Sequence, residues 1–125
     1  MNSVAVRPSL RLPYAALTAL FLAATIFETA RHGFTWQLPV FALAPDLALL
    51  LGVGRGLAPG QLHPRAVPVY NVVHTFFGPL AVLVLASLLG LSVGWFVAGL
   101  AWGTHVALDR TVGYGLRTRD GFQRR

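Results

Sequence analysis

Long apolar runs, separated by short polar or proline-containing segments, organise this chain. A helix crossing hydrocarbon needs roughly 17 to 25 apolar residues, and four such stretches can be drawn, at about residues 13–29, 38–53, 67–89 and 92–109. The second is the shortest. Pro13, Pro39 and Pro68 fall near the expected helix starts, where a missing N–H is tolerated, whereas Pro45 and Pro79 fall inside spans and predict kinks. Leu89-Gly90-Leu91-Ser92 leaves room only for a tight turn, so the last two helices must form an antiparallel hairpin. Gly94, Ala98, Gly99, Ala101 and Gly103 predict close helix packing along the last span. The expected fold is all-α: a single four-helix membrane domain over residues 1–125, without internal repeats.

Composition strengthens that reading. The chain is 55% hydrophobic and 11% charged, against about a quarter charged for an ordinary soluble domain. All of its basic residues are arginine, and the net charge of +6 gathers at the two ends and in one internal loop. A nucleic-acid binder would interleave its arginines with polar and aromatic side chains on one face. Here they flank apolar runs, which argues for a lipid bilayer as partner and against nucleic acid. Arg7, Arg11, Arg55, Arg65, Arg117, Arg119, Arg124 and Arg125 fall on one side of the expected spans and Arg31 on the other. The positive-inside rule then puts both termini in the cytoplasm. Arg7 and Arg11 before an apolar run resemble a signal peptide, but the run continues to about Ile26 without a clear cleavage site, so it is read as a retained span. With no cysteine, disulfides, thiolate chemistry and Cys-ligated metals are excluded.

The scarcity of acids points to a site. Only four residues are acidic, and two of them, Asp46 and Asp109, lie in apolar stretches that also carry His74 and His105. Ionisable groups in hydrocarbon are costly, so they pair, line a cavity or do chemistry. From the helical rise, His105 and Asp109 sit one turn apart on one face, and Asp46 and His74 fall at a similar depth on neighbouring spans. Two imidazoles and two carboxylates suit Zn, Mn or Fe, with one Asp alternatively serving as general base. Tyr70 and Asn71 share the helix face of His74, and Arg110 and Tyr114 follow Asp109; these four are the candidates for orienting substrate or ligands. Trp102, three residues before His105, would wall the site. Glu28 and His32 belong to the opposite end and are left out. The purely structural alternative pairs Asp109 with Arg110 or another Arg nearby and lets each His bond Asn71, Tyr70 or a carbonyl, fixing helix register. Gly52-x-Gly54-x-Gly56 lacks a strand-to-helix context and reads as a loop.

Ala44-Pro45-Asp46-Leu47, Tyr70-Asn71-Val72-Val73-His74, and Trp102-Gly103-Thr104-His105 running through Asp109-Arg110 into Gly113-Tyr114-Gly115-Leu116-Arg117 together cover most of the chain. In these blocks it resembles a small bacterial integral-membrane family catalogued as domain of unknown function 4260. The resemblance implies a four-helix fold in the bacterial inner membrane, with Asp46, Asn71, His74, His105, Asp109 and Arg110 at motif positions. It implies no activity.

Three functions compete at this point. The first is a metal-binding pocket that opens toward the cytoplasm and acts on a lipid or other amphipathic small molecule. The second is proton- or ion-coupled transport, which would require a homo-oligomer because four helices rarely enclose a path. The third is a non-catalytic membrane scaffold held by a buried polar network. A haem gripped between His74 and His105 is a further option.

Overall fold

In the computed structural model of this chain, residues 6–123 are described, and Arg124 and Arg125, counted above, lie outside them. The elements are α1 (Pro8–His32), α2 (Gln37–Leu43) running into a 3-10 segment (Ala44–Gly52), a 3-10 turn (Pro64–Ala66) running into α3 (Val67–Val73), α4 (Phe77–Leu88) and α5 (Val93–Thr111). The fold is all-α, and no strand occurs among the described residues beyond an isolated bridge between Arg117 and Gln123.

Two of the expected spans are interrupted, and proline explains both. In the second, α-helix gives way to 3-10 at Ala44, one residue before Pro45. A 3-10 bond would join the N–H of residue 45 to Ala42 O, but proline has no N–H. The Ala42 carbonyl is therefore free to accept from a side chain. In the third, α3 stops at Val73 and α4 begins at Phe77, with a bend of 42° between the 64–73 and 77–88 segments. Pro79, the third residue of α4, cannot donate to Thr75 O, and the α3 carbonyls at the break need other partners. Among the described helices α1 alone is long and apolar enough to cross a membrane, with the bent pair a second if taken together.

Helix α5 is the centre of the bundle. α1, α2 and α4 each pack chiefly against it, and it buries Val97, Ala98, Leu100, Ala101, Val106 and Ala107. The small residues anticipated along it permit this approach: a Cβ on Gly103 would stand 2.8 Å from the Phe21 ring of α1. The reciprocal contact comes from α4, where a Cβ on Gly78 would run into the Trp102 ring.

Past α5 the chain reverses. Gly113 adopts φ +101°, and Tyr114 N–H reaches back to Asp109 O at 2.8 Å, closing the helix end in a Schellman-type turn. The following segment lies on the loop before α3, with Leu62 N–H donating to Gly121 O at 2.9 Å. A Gly113→Ala change puts a side chain at that positive φ. It should cost about 1–3 kcal/mol, read as a lowered midpoint of unfolding in mild detergent.

Candidate metal centre

The prolines that break the helices also build the site. His105 Nδ1 bonds Ala42 O at 2.7 Å, the carbonyl that Pro45 cannot serve. His74, the residue that caps α3, places its Nδ1 2.8 Å from Tyr70 O. At the same break Trp102 Nε1 donates to Val73 O at 2.8 Å and Arg110 Nη2 to His74 O at 2.7 Å. Orphan carbonyls of α3 are thus satisfied by side chains from α5.

Those bonds fix the imidazoles. A carbonyl oxygen can only accept, so Nδ1 carries the proton in both rings, and both Nε2 atoms turn toward the same carboxylates. His74 Nε2 lies 3.2 Å from Asp46 Oδ1 and 3.6 Å from Asp109 Oδ2. His105 Nε2 lies 3.2 Å and 3.4 Å from the same two oxygens. The four ligand atoms all fall within 4.8 Å of one another, so the set can hold a metal ion.

Magnitudes favour that use. A tetrahedral ion with bonds of about 2.0–2.2 Å holds its ligand atoms about 3.3–3.6 Å apart; the four nitrogen-to-oxygen distances, 3.2–3.6 Å, match that, while the nitrogen–nitrogen and oxygen–oxygen pairs lie within 4.8 Å. His105 Nε2 is buried yet makes no hydrogen bond among the described residues, despite its two oxygen neighbours. Nitrogen and carboxylate lone pairs facing each other at such distances require a positive charge between them, supplied by a cation or by protons. Imidazole ligands whose far nitrogen is held by a carbonyl are the usual support of a metal site.

The centre is buried on one side and open on the other. The side chain of His74 is 1% exposed and that of Asp46 52%. Asp46 and Asp109 line a cavity of about 760 Å³ whose wall also includes Tyr70, Tyr114, Arg117, Gln123 and the apolar Leu49 and Phe122. The Tyr70 ring stacks on His74 with centroids 3.9 Å apart, and its hydroxyl accepts from Gln123 Nε2 at 3.0 Å.

All four residues expected as metal ligands therefore meet. Of the expected orienting residues, Tyr70 and Tyr114 line the cavity, while Asn71 and Arg110 bond to backbone. Asn71 clamps Arg117, donating to its carbonyl at 3.1 Å and accepting from its N–H at 2.8 Å. Arg110 donates to His74 O and, at 3.2 Å, to Tyr114 O rather than pairing with Asp109, whereas both imidazoles do bond a carbonyl, as the structural alternative supposed. Glu28 and His32 pair with each other at 3.3 Å, apart from the site. The imidazole centroids are 5.4 Å apart and both Nε2 atoms face the same acids, which leaves no room for a porphyrin between the rings. Sequence reasoning missed the site roles of Arg117, Gln123 and the Ala42 carbonyl. Arg117 had a signal in the Gly113-to-Arg117 block; a backbone acceptor and a lone Gln have none.

Searches of curated proteins and of solved structures found no match to this chain. A family model does match, over residues 10–125, and so takes in all four clustered side chains and the cavity wall. By that match the chain belongs to the family described as domain of unknown function (DUF4260).

Proposed function

We propose that this is a multi-pass membrane protein whose Asp46, His74, His105 and Asp109 bind one divalent ion and act on a lipid or another amphipathic small molecule that enters the adjoining cavity. The single observation that carries the proposal is the pair of Nε2 atoms turned on two carboxylate oxygens at the spacing of a coordination sphere. Nitrogen and oxygen donors without thiolates suit Zn, Mn or Fe. Once bound, the ion would supply Lewis-acid activation of water or of a substrate oxygen. Asp46, the more exposed acid, is placed to ligate or to take a proton from a group in the cavity. Tyr114 and Tyr70 form part of the wall against which a substrate would lie.

The membrane setting rests on surface and charge. α1 is 25 residues long, yet only 11% of its most apolar stretch is buried, unlike the core helix of a soluble protein. At about 1.5 Å per residue it exceeds the roughly 30 Å of bilayer hydrocarbon. Leu12, Leu20, Phe77 and Leu88 all project outward, as lipid-facing residues do. A Cβ on Gly113 would meet Arg11 Nη2, and Arg117 reaches Gly60 O, so the start of α1, the end of α5 and the loop before α3 share one end. That end gathers most of the arginines, which supports four spans, broken ones included, with both termini cytoplasmic.

The test is metal content. Wild-type protein purified without chelator should carry about one divalent ion per chain by inductively coupled plasma mass spectrometry, and a His74→Ala/His105→Ala variant should carry almost none. Equal, negligible metal in both sinks the metal reading. The same four titratable groups would then favour a proton- or ion-coupled role in an oligomer, for which flux in proteoliposomes insensitive to Asp46→Asn would be decisive against.

A further inference from the structure

Among the residues lining the cavity, Arg117 is a cation built into place. Its backbone is clamped on both sides by Asn71, and its Nη1 donates to Gly121 O at 2.8 Å and Gly60 O at 3.2 Å. The guanidinium lies over the Tyr70 ring, 4.9 Å from its centroid. Both hydrogens of Nη1 are thereby used. On the edge away from Nη1, Nε is buried and has no hydrogen-bond partner among the described residues, and neither Arg117 hydrogen bond uses Nη2, which lies beside it. Nε and Nη2 donate in parallel, the geometry that fits two oxygens of one anion. A buried donor without an acceptor is costly, so an acceptor is expected.

We propose that the unused edge of Arg117 binds the phosphate group of the substrate, and that the substrate is a phosphate-bearing molecule whose reacting part lies at the metal cluster. This rests on the proposed role of the cluster and narrows its substrate class. The two sites share a wall: the guanidinium covers Tyr70, and the Tyr70 ring is stacked on His74. The anion and the reacting atom are therefore separate parts of one ligand, set apart by the Tyr70 stack. Apolar Leu49, Pro59 and Phe122 on the same cavity offer contact to an alkyl portion. Phosphate is favoured over carboxylate because the cavity sits at the arginine-rich end of the bundle, where the bilayer's head groups would lie and where the abundant anion is phosphate. The internal competitors are Gln123 Oε1, an acceptor that is likewise buried and unpaired, across the bridge from Arg117, and the Tyr70 hydroxyl beside the guanidinium.

The experiment titrates full-length protein in dodecyl maltoside with dodecyl phosphate and, separately, with inorganic phosphate, following arginine Nε–Hε resonances by NMR. The Arg117 resonance should move and saturate, and Arg117→Gln should weaken binding at least about tenfold, as the loss of a charge-assisted pair implies. A shift with dodecyl phosphate alone identifies an amphiphile; an equal shift with inorganic phosphate identifies a free phosphate compound. A resonance that neither ligand moves means that Gln123 or another internal group already satisfies Nε, and overturns the proposal without any variant having to fold. Repeating the titration on His74→Ala/His105→Ala separates the two readings. Phosphate binding that persists where wild-type protein also lacks metal defeats the metal centre alone, and metal without phosphate binding defeats the Arg117 site alone.

Discussion

Chelation is expected to lower the unfolding midpoint of the purified protein and to leave that of the His74→Ala/His105→Ala variant unmoved. An ion that binds the folded chain and not the unfolded one stabilises by mass action, by about 4 kcal/mol when free metal stands a thousandfold above its dissociation constant. The ligands come from the 3-10 segment, the end of α3 and α5, so the ion would join three parts of the chain that otherwise meet through apolar contacts and a few carbonyl bonds. Without it, two carboxylates face two imidazoles, and the set relies on protons to offset its charge. Thermal unfolding in mild detergent with and without a chelator, followed by return of Zn, Mn or Fe, reads the effect. An unchanged midpoint in wild-type protein that had been shown to carry metal would mean that the ion is bound but holds nothing together.

Arg110→Met should also be strongly damaging, through a different route. Arg110 is buried, and its two guanidinium nitrogens satisfy His74 O and Tyr114 O. Methionine fills much of the space but donates nothing. Abandoning the buried His74 carbonyl costs about 1–3 kcal/mol, and the Tyr114 carbonyl, at an exposed residue, adds less because water can reach it, so a loss of roughly 2–4 kcal/mol is expected. Because His74 O lies at the break between α3 and α4, the imidazole of His74 should lose its orientation as well, and metal affinity should fall along with stability. Arg110→Lys separates these effects: a single ammonium reaches one carbonyl more readily than two, so it should recover stability in part. Denaturant unfolding and metal titration on the same two variants check both. Wild-type stability in Arg110→Met would show that water replaces the guanidinium and that the break is more open than its burial indicates.

The clustering of Asp46, His74, His105 and Asp109 was legible because rare ionisable groups in apolar runs carry an unusual amount of information. His105 and Asp109 share a helix face by spacing alone, and the depth of the other two followed from where their runs begin. Kinks at Pro45 and Pro79 were legible for the same reason, since proline acts on the backbone whatever surrounds it. What those kinks do was not. An apolar run looks alike whether it is one helix or two, so the stop at Val73 and the 3-10 segment leave no mark in hydropathy. Nor does sequence spacing show that His105 bonds Ala42 O or that Arg110 serves His74 O, because such pairings depend on helix rotation. Arg117 read as one more cytoplasmic charge; only the clamp from Asn71, three residues ahead of His74, turns it inward.

The central place of α5 bears on how the molecule comes to exist. The helix against which α1, α2 and α4 pack follows all three of them along the chain, so these helices have no common partner until it has been made. Asp46 and His74 emerge well before His105 and Asp109, and for that interval an acid and an imidazole stand half-matched among apolar segments. A chain stopped short of α5 is therefore not a smaller version of the protein but a set of helices awaiting their core, with the apolar faces that α5 would cover left open to aggregation.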